Sequence, residues 1–255
     1  MQSTACLVLA AQKRIDYKTF LFCNVGDDSE HPATLAYVRD VAMPYAQEHG
    51  IELIELHKTR FGEPETLYQR LTRPGSRSIG IPVRMASGAP GTRACTADFK
   101  IKVVDKWLRE HGGKKEGAIV GIGISLDEFQ RMKPNLDPNT MKWKKNAFPL
   151  IDLRMDRQDC MNVISAAGLP IPPKSSCFFC PFHTMGKWQD MRINEPDLFA
   201  KSVELENMMN ERRAMLGKDQ VWFSDKLKPL GKATTDLGQG TLFEEVGCDS
   251  GYCWT

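Results

Sequence analysis

Apolar positions along the chain fall in short runs whose spacing switches between helical and extended. Residues 3–12 read as a helix opened by Ser3 and Thr4, with Cys6, Leu7, Leu9 and Ala10 on its apolar positions. TFLFCNV (19–25) has the spacing of a buried strand and breaks into the polar cluster GDDSEHP. Pro32 opens a predicted helix over 33–48, and Gly50 sits where its C-cap falls. IELIEL (51–56), GAIVGIGIS (117–125) and FPLIDL (148–153) read as the second, third and fourth strands. The stretch 57–92 is polar and rich in glycine and proline. It is too long for a plain connection and reads as a functional loop or lid. DFKIKVVDKWLREHGG (98–113) is an amphipathic helix ending at glycine, and a helix near 156–167 stops at Gly168-Leu169-Pro170. Two more helices follow near 184–193 and 195–216, and the tail from about 226 is polar and Gly-rich.

Strands alternating with helices predict an α/β fold with a mostly parallel twisted sheet flanked by helices. The expected division is an α/β domain over 1–170, a C-x-x-C and helical segment over 171–225 packing on it, and a tail over 226–255. In such sheets ligands bind beyond the carboxyl ends of the strands. The polar clusters after 19–25 and 117–125 therefore mark the expected site.

Charge adds little. Lys+Arg 34 against Asp+Glu 32 leaves the chain nearly neutral, so net charge calls for neither a nucleic-acid coat nor a membrane partner. A local basic face stays open, with HKTRF (57–61), RLTRPGSRS (70–78), RMKP (131–134) and KWKKN (142–146) as contributors and Trp143 for stacking. The alternative for these runs is ordinary solvated loop. No stretch approaches the ~18 apolar residues that span a bilayer. At the N-terminus the basic residues follow the apolar run, the reverse of a secretory signal. A cytoplasmic location is expected, where thiols stay reduced and metal or catalytic roles outrank disulfides.

That bears on the eight cysteines, at 6, 23, 95, 160, 177, 180, 248 and 253. SSCFFCPF places Cys177 and Cys180 three apart, a spacing that suits a zinc staple, an iron–sulfur site or a redox couple. Cys95 falls just before a predicted helix, where the dipole favours the thiolate, and plain packing is its alternative. Cys160 lies inside a predicted helix beside Val163 and Ile164, with packing the simpler account. Together the four are a candidate ligand set. His183 is an alternative fourth ligand of a zinc site, or a loop histidine. His31 sits in a polar loop as a surface residue or ligand contact, and His49, His57 and His111 fall at element ends. Neither G-x-x-x-x-G-K-[ST] nor G-x-G-x-x-G is present, which argues against Walker and Rossmann sites.

Taken in order, several segments resemble the adenylyl-sulfate and phosphoadenylyl-sulfate reductase family of the PP-loop, adenine-nucleotide α-hydrolase-like superfamily. MQST is similar to the last four positions of the phosphate loop S-G-G-x-x-S/T. NVGDDSEHPATLAYV resembles D-T-G…P-E-T…Y-V, and GIGISLDEFQR resembles G-I-R…E-S…R. PLIDLRMDRQDCMNVISAAGLP resembles P-L-x-D-W…D-V-W…I…L-P. The likeness runs from residue 1 to about 190. The S-G-G and its strand would fall upstream of Met1, and the expectation is that the natural start lies upstream as well. RACTADFKIKVV resembles the first cysteine block of the iron–sulfur members with Ala94 in place of one cysteine, and SSCFFCPF the second. The tail EEVGCDSGYCWT differs from the reductases' E-C-G-x-H.

The resemblance implies an adenine nucleotide held by Gln2, Ser3, Thr4, Asn24, Gly26, Asp28, Gly121, Gly123 and Glu128, with Arg131, Lys100 and Asp27 in catalytic roles. It implies a [4Fe–4S] cluster on Cys95, Cys177, Cys180 and a fourth cysteine, Cys160 by choice, with Cys248 and Cys253 as alternatives. The implied activity is that of relatives which split ATP between the α and β phosphates, with Mg2+, to activate a substrate for sulfur insertion. DNA or tRNA is the implied acceptor, as in DNA phosphorothioation and tRNA thiolation. A cysteine desulfurase or thioredoxin-like protein would donate sulfur, with no membrane partner and a possible homodimer. One rival is a reductase releasing sulfite from PAPS or APS through Cys248 or Cys253. The other is a non-enzymatic, zinc-stapled binding module.

Overall fold

Helix α1 (Gln2–Ala11) of the computed structural model is enclosed almost all round, with Ala5, Val8 and Leu9 wholly inaccessible. A helix so enclosed belongs in the interior, and its buried residues are shared between two smaller cores. The structure describes residues 1–77, 79–132 and 143–235.

Strand β1 (Thr19–Asn24) leads into the loop that ends in helix α2 (Pro32–Tyr37). His31 caps α2, its Nδ1 accepting from Ala33 N at 3.2 Å. One π turn (Val38–Ala42) joins α2 to α3 (Met43–Glu48). Strand β2 (Glu52–His57) then lies parallel to β1, from Thr19 opposite Glu52 to Asn24 opposite His57. A crossover helix between parallel strands is the α/β unit that the alternating pattern predicts.

The stretch 57–92 is more than an irregular loop or lid, for it carries its own elements. It forms a hairpin of β3 (Thr59–Arg60) and β4 (Glu63–Pro64), then helix α4 (Leu67–Thr72), opened by a capping box between Thr66 and Gln69. Leu67, Leu71, Ile81 and Val83 enter the largest core, beside Phe99, Phe178, Phe179 and Trp188. The polar composition hid these anchors, because they are spaced singly among glycines and prolines.

The expected helix 98–113 starts earlier and is interrupted: α5 (Ala94–Thr96), a π turn (Ala97–Ile101), α6 (Lys102–Glu110) and α7 (Gly113–Glu116). Strand β5 (Ala118–Gly121) is shorter than the run 117–125, whose end becomes a loop and a 3-10 turn (Leu126–Arg131). FPLIDL is not a strand. Pro149 has no N–H for a ladder and instead opens helix α8 (Pro149–Asp152). The partner of β5 is β6 (Lys144–Ala147), parallel to it with Ala118 opposite Lys144. Its polar sequence, KKNA, gave no strand signal. Lys144 is held there by Asp105 of α6 at 2.6 Å.

The remainder is helical: α9 (Arg157–Ala166), α10 (Met185–Asn194), α11 (Pro196–Met215) and α12 (Leu230–Ala233). Residues of α10 to α12 complete the large core, while α9 packs on α1 in a second core with Cys6, Leu9, Leu150, Met155 and Ile164. Among the described residues the strands form three two-stranded sheets, two of them parallel. None of the described helices is long and apolar enough to cross a membrane.

Gly26 fixes how the chain leaves β1. Its φ is +126°, and a Cβ there would stand 2.4 Å from Thr66 Cβ and 2.6 Å from Asp28 Oδ1. Gly26→Ala is expected to cost about 2 kcal/mol or more, from forced backbone strain and a clash with the α4 cap. Urea unfolding of the two proteins measures this, and a loss below about 0.5 kcal/mol would show that the loop shifts freely.

Candidate functional site

The loop after β1 is bonded to the C-x-x-C segment. Phe178 N donates to Ser29 O at 3.2 Å, His31 N donates to Ser176 O at 3.1 Å, and Glu30 forms an isolated bridge with Cys177. Cys177 and Cys180 close their own turn, Cys180 N donating to Cys177 O at 3.1 Å. His183 continues it, with its N–H on Cys180 O at 3.0 Å and Nε2 against Cys177 O at 2.9 Å. The ring nitrogen is thus committed to backbone. His183 is half-buried, its pKa lowered to about 4 by desolvation, and it stands edge-on to Trp188 with centroids 4.8 Å apart.

Cys95 and Cys177 both pack against the large core, and Cys177 feels the charges of Cys180 and Cys95. Burial pushes the Cys177 thiol well above its ordinary value, the neighbouring Glu30 adds to this, and Lys100 opposes it. Glu30 is itself buried, its carboxyl raised by burial and restrained by Lys100, by Ser175 Oγ at 3.2 Å and by His31. Cys95, Cys177 and Cys180 therefore form one thiol neighbourhood with a buried acid and a lysine beside it.

Cys160 does not join it. It lies in the second core with Cys6, and burial pushes both thiols up to about 12. The choice of Cys160 as fourth ligand is replaced by packing, as its apolar neighbours Val163 and Ile164 allowed. Cys248 and Cys253 lie outside the described residues. Among the described residues no three His, Cys, Asp or Glu side chains are arranged to hold a single metal ion. Thiolates such as these three could provide are the soft donors that zinc and iron–sulfur centres use.

Cys180 also lines a cavity of about 340 Å³. Gln2, Ser3 and Thr4 of the first turn of α1 line one side, and Glu128, Arg131, Arg157, Lys174 and His183 add polar groups. Phe20, Phe22, Tyr37, Val38 and Leu53 supply an apolar wall. Such a cavity suits a small molecule with one flat apolar part and one anionic part. The helix N-terminus carries the positive end of its dipole, and three side-chain cations stand against one carboxylate. Thr34 adds a ligand-directed signal: it lines the cavity, is 4% exposed, and its Oγ1 has no hydrogen-bond partner among the described residues.

Two of the sequence segments are brought together here. Gln2 Nε2 donates to Glu128 Oε2 at 3.1 Å and to Ser125 Oγ at 3.3 Å, while Arg131 pairs with Glu128 at 2.5 Å. Gly123 lets the loop after β5 approach α1, since a Cβ there would stand 3.1 Å from Ser3 N. Gly121 faces elsewhere, against the Tyr17 ring.

Four other expected contacts have different work. Asn24 and Asp27 belong to a surface network in which Arg39 bonds Asp27 at 2.9 Å and Glu55 at 2.7 Å, and Asn24 Nδ2 donates to both acids. The Arg39 hydrogen bonds hold the Asp27 carboxyl below its usual range. Gly26 and Asp28 fasten the loop to α4, Thr66 Oγ1 donating to Asp28 Oδ2 at 2.9 Å. None of the four lines the cavity. Lys100 stands beside Glu30 and Cys177 rather than in the cavity wall. Glu30, Thr34, Arg157 and Lys174 were missed because each is an ordinary residue in a loop or helix start, with no spacing signal.

No family model, curated protein or solved structure matches the chain. The burial pattern makes a chemical prediction. In metal-free folded protein at about pH 8, iodoacetamide should modify Cys180 and Cys95 well before Cys6 and Cys160, because alkylation needs an accessible thiolate. Peptide mass spectrometry reads the order, and early labelling of Cys160 would contradict its enclosure.

Proposed function

We propose that this chain is a PP-loop enzyme of the PAPS reductase type, cleaving ATP between the α and β phosphates to activate an acceptor for sulfur insertion. The observation that carries the reading is that Cys180, from the thiol neighbourhood, lines the same cavity as the first turn of α1 and the cations Arg131, Arg157 and Lys174. A cavity with an anion-favouring end beside clustered thiols is what adenylation-linked sulfur chemistry requires.

The apolar wall of Phe20, Tyr37, Val38 and Leu53 would take the adenine, and the polar end the phosphates. Thr34 Oγ1 would donate to a polar group of the nucleotide. An acceptor oxygen attacks the α phosphorus, and the bond to pyrophosphate breaks. Arg131, Arg157 and Lys174 stabilise the charge gathering on the departing pyrophosphate. Glu128 holds Arg131 and Gln2 in place for this. Mg2+ would accompany the phosphates. Incoming sulfur then displaces AMP, which leaves with the acceptor oxygen. A [4Fe–4S] cluster on Cys95, Cys177, Cys180 and one further ligand would supply sulfur handling and electron transfer when bound. Glu30 and Lys100 would flank it as a buried acid and its counter-charge. The acceptor class proposed is nucleic acid.

Two measurements on anaerobically purified protein test this. About four irons and four sulfides per chain are expected, with visible absorbance lost in Cys180→Ser. ATP-dependent pyrophosphate release is expected to fall about 100-fold or more in Arg131→Gln. One tightly held zinc in a colourless protein without pyrophosphate release would overturn the enzyme and leave a zinc-stapled binding module.

A further inference from the structure

Phe61 is conspicuous because it joins no core among the described residues. It is 93% exposed at the tip of the β3–β4 hairpin, and its φ of +53° lies in the left-handed region. A two-residue turn with both φ values positive, here Phe61 and Gly62 at +89°, favours Asn-Gly. A bulky apolar residue there strains the backbone and buries no surface in return. One face of its ring is occupied: the Arg60 guanidinium sits 5.0 Å from the centroid. The hairpin follows β2 directly, so the ring lies just beyond that strand's carboxyl end.

Behind the ring is a basic face built around two acids. Glu65 answers three cations, Lys58 at 3.0 Å, Arg60 at 3.8 Å and Arg73. Asp98 answers two, Arg70 and Lys102, both at 2.6 Å. The two groups meet over Phe99, with Lys58 Nζ 4.6 Å and Arg70 Cζ 5.6 Å from its centroid. Five cations thus share two carboxylates, with Glu63 and Asp28, which Thr66 holds, as further acids nearby. Arg60, Arg73 and Lys102 keep 44%, 38% and 74% of their side chains exposed. The near-neutral total conceals this local surplus.

We propose that this face binds single-stranded nucleic acid, with Phe61 as the stacking platform for an unpaired base and Arg60, Arg73 and Lys102 on the phosphates. An exposed ring needs an open base face, which a duplex does not offer, and the surplus cations match a phosphate backbone. The assignment rests on the reading of nucleic acid as acceptor, but uses none of the cavity residues.

The test is fluorescence anisotropy with a labelled mixed-sequence DNA strand of about 15 nucleotides, and with its duplex, across a salt series without ATP. Wild-type protein should bind the strand more tightly than the duplex. Phe61→Asn should melt no lower than wild type, since Asn suits the left-handed turn, while losing about tenfold in strand affinity with the salt slope unchanged. Arg60→Gln with Arg73→Gln should flatten the slope of log affinity against log salt by about 1.4. Equal binding of the duplex, unchanged affinity in Phe61→Asn, or no binding by the wild type would overturn the proposal. Pyrophosphate release and iron content, measured on the same wild-type protein, separate the two readings. Strand binding without ATP cleavage would sink the cavity's role alone, and ATP cleavage without strand binding would sink this one.

Discussion

Everything at the candidate site depends on how the loop after β1 is fastened to residues 176–178. Two backbone hydrogen bonds, which together make the Glu30–Cys177 bridge, hold it. They bring a thiol pair from the C-terminal half against the carboxyl end of an N-terminal strand. The same contact closes the large core, since Phe178 and Phe179 follow Cys177 directly and pack there with Leu67 and Phe99. Backbone bonds suit this task. They fix the path of the chain whatever the side chains do, so the thiols and Glu30 can be chosen for chemistry.

Burial of ionisable groups beside that contact sets its electrostatic character. A buried carboxyl, a buried thiol and Lys100 lie within one neighbourhood, each disfavouring or rescuing the charge of the others. A buried charge costs several kcal/mol when uncompensated. Burial therefore disfavours the Cys177 thiolate, and any metal bound through it would be coupled to proton release.

The alternation of strands and helices was legible because α1, β1 and β2 carry strong apolar runs. β6 was not, because a backbone ladder needs no apolar side chain and KKNA is tied down instead by Lys144 and Asp105. FPLIDL misled for the opposite reason: its apolar spacing fits either element, and Pro149 decided for helix. In the site, Gln2, Glu128 and Arg131 were visible as motif positions and do converge. Cys160 was chosen because its helix leads directly into the C-x-x-C, and nearness along the chain does not fix distance in the fold. Thr34 and Glu30 become meaningful only through burial, a property of the folded chain.

The two π turns, Val38–Ala42 and Ala97–Ile101, each add one residue beyond the regular helical repeat. Such a turn behaves as a one-residue insertion that the helix absorbs without breaking. Removing a residue from either would restore a uniform helix and rotate everything on one side of it by about 100°. Around the second, that rotation would swing Asp98 and Lys100 relative to Cys95. The spacing between a thiol and its lysine is thus written in a helical phase, and loss of a single codon would rewrite it while leaving all the other residues in place.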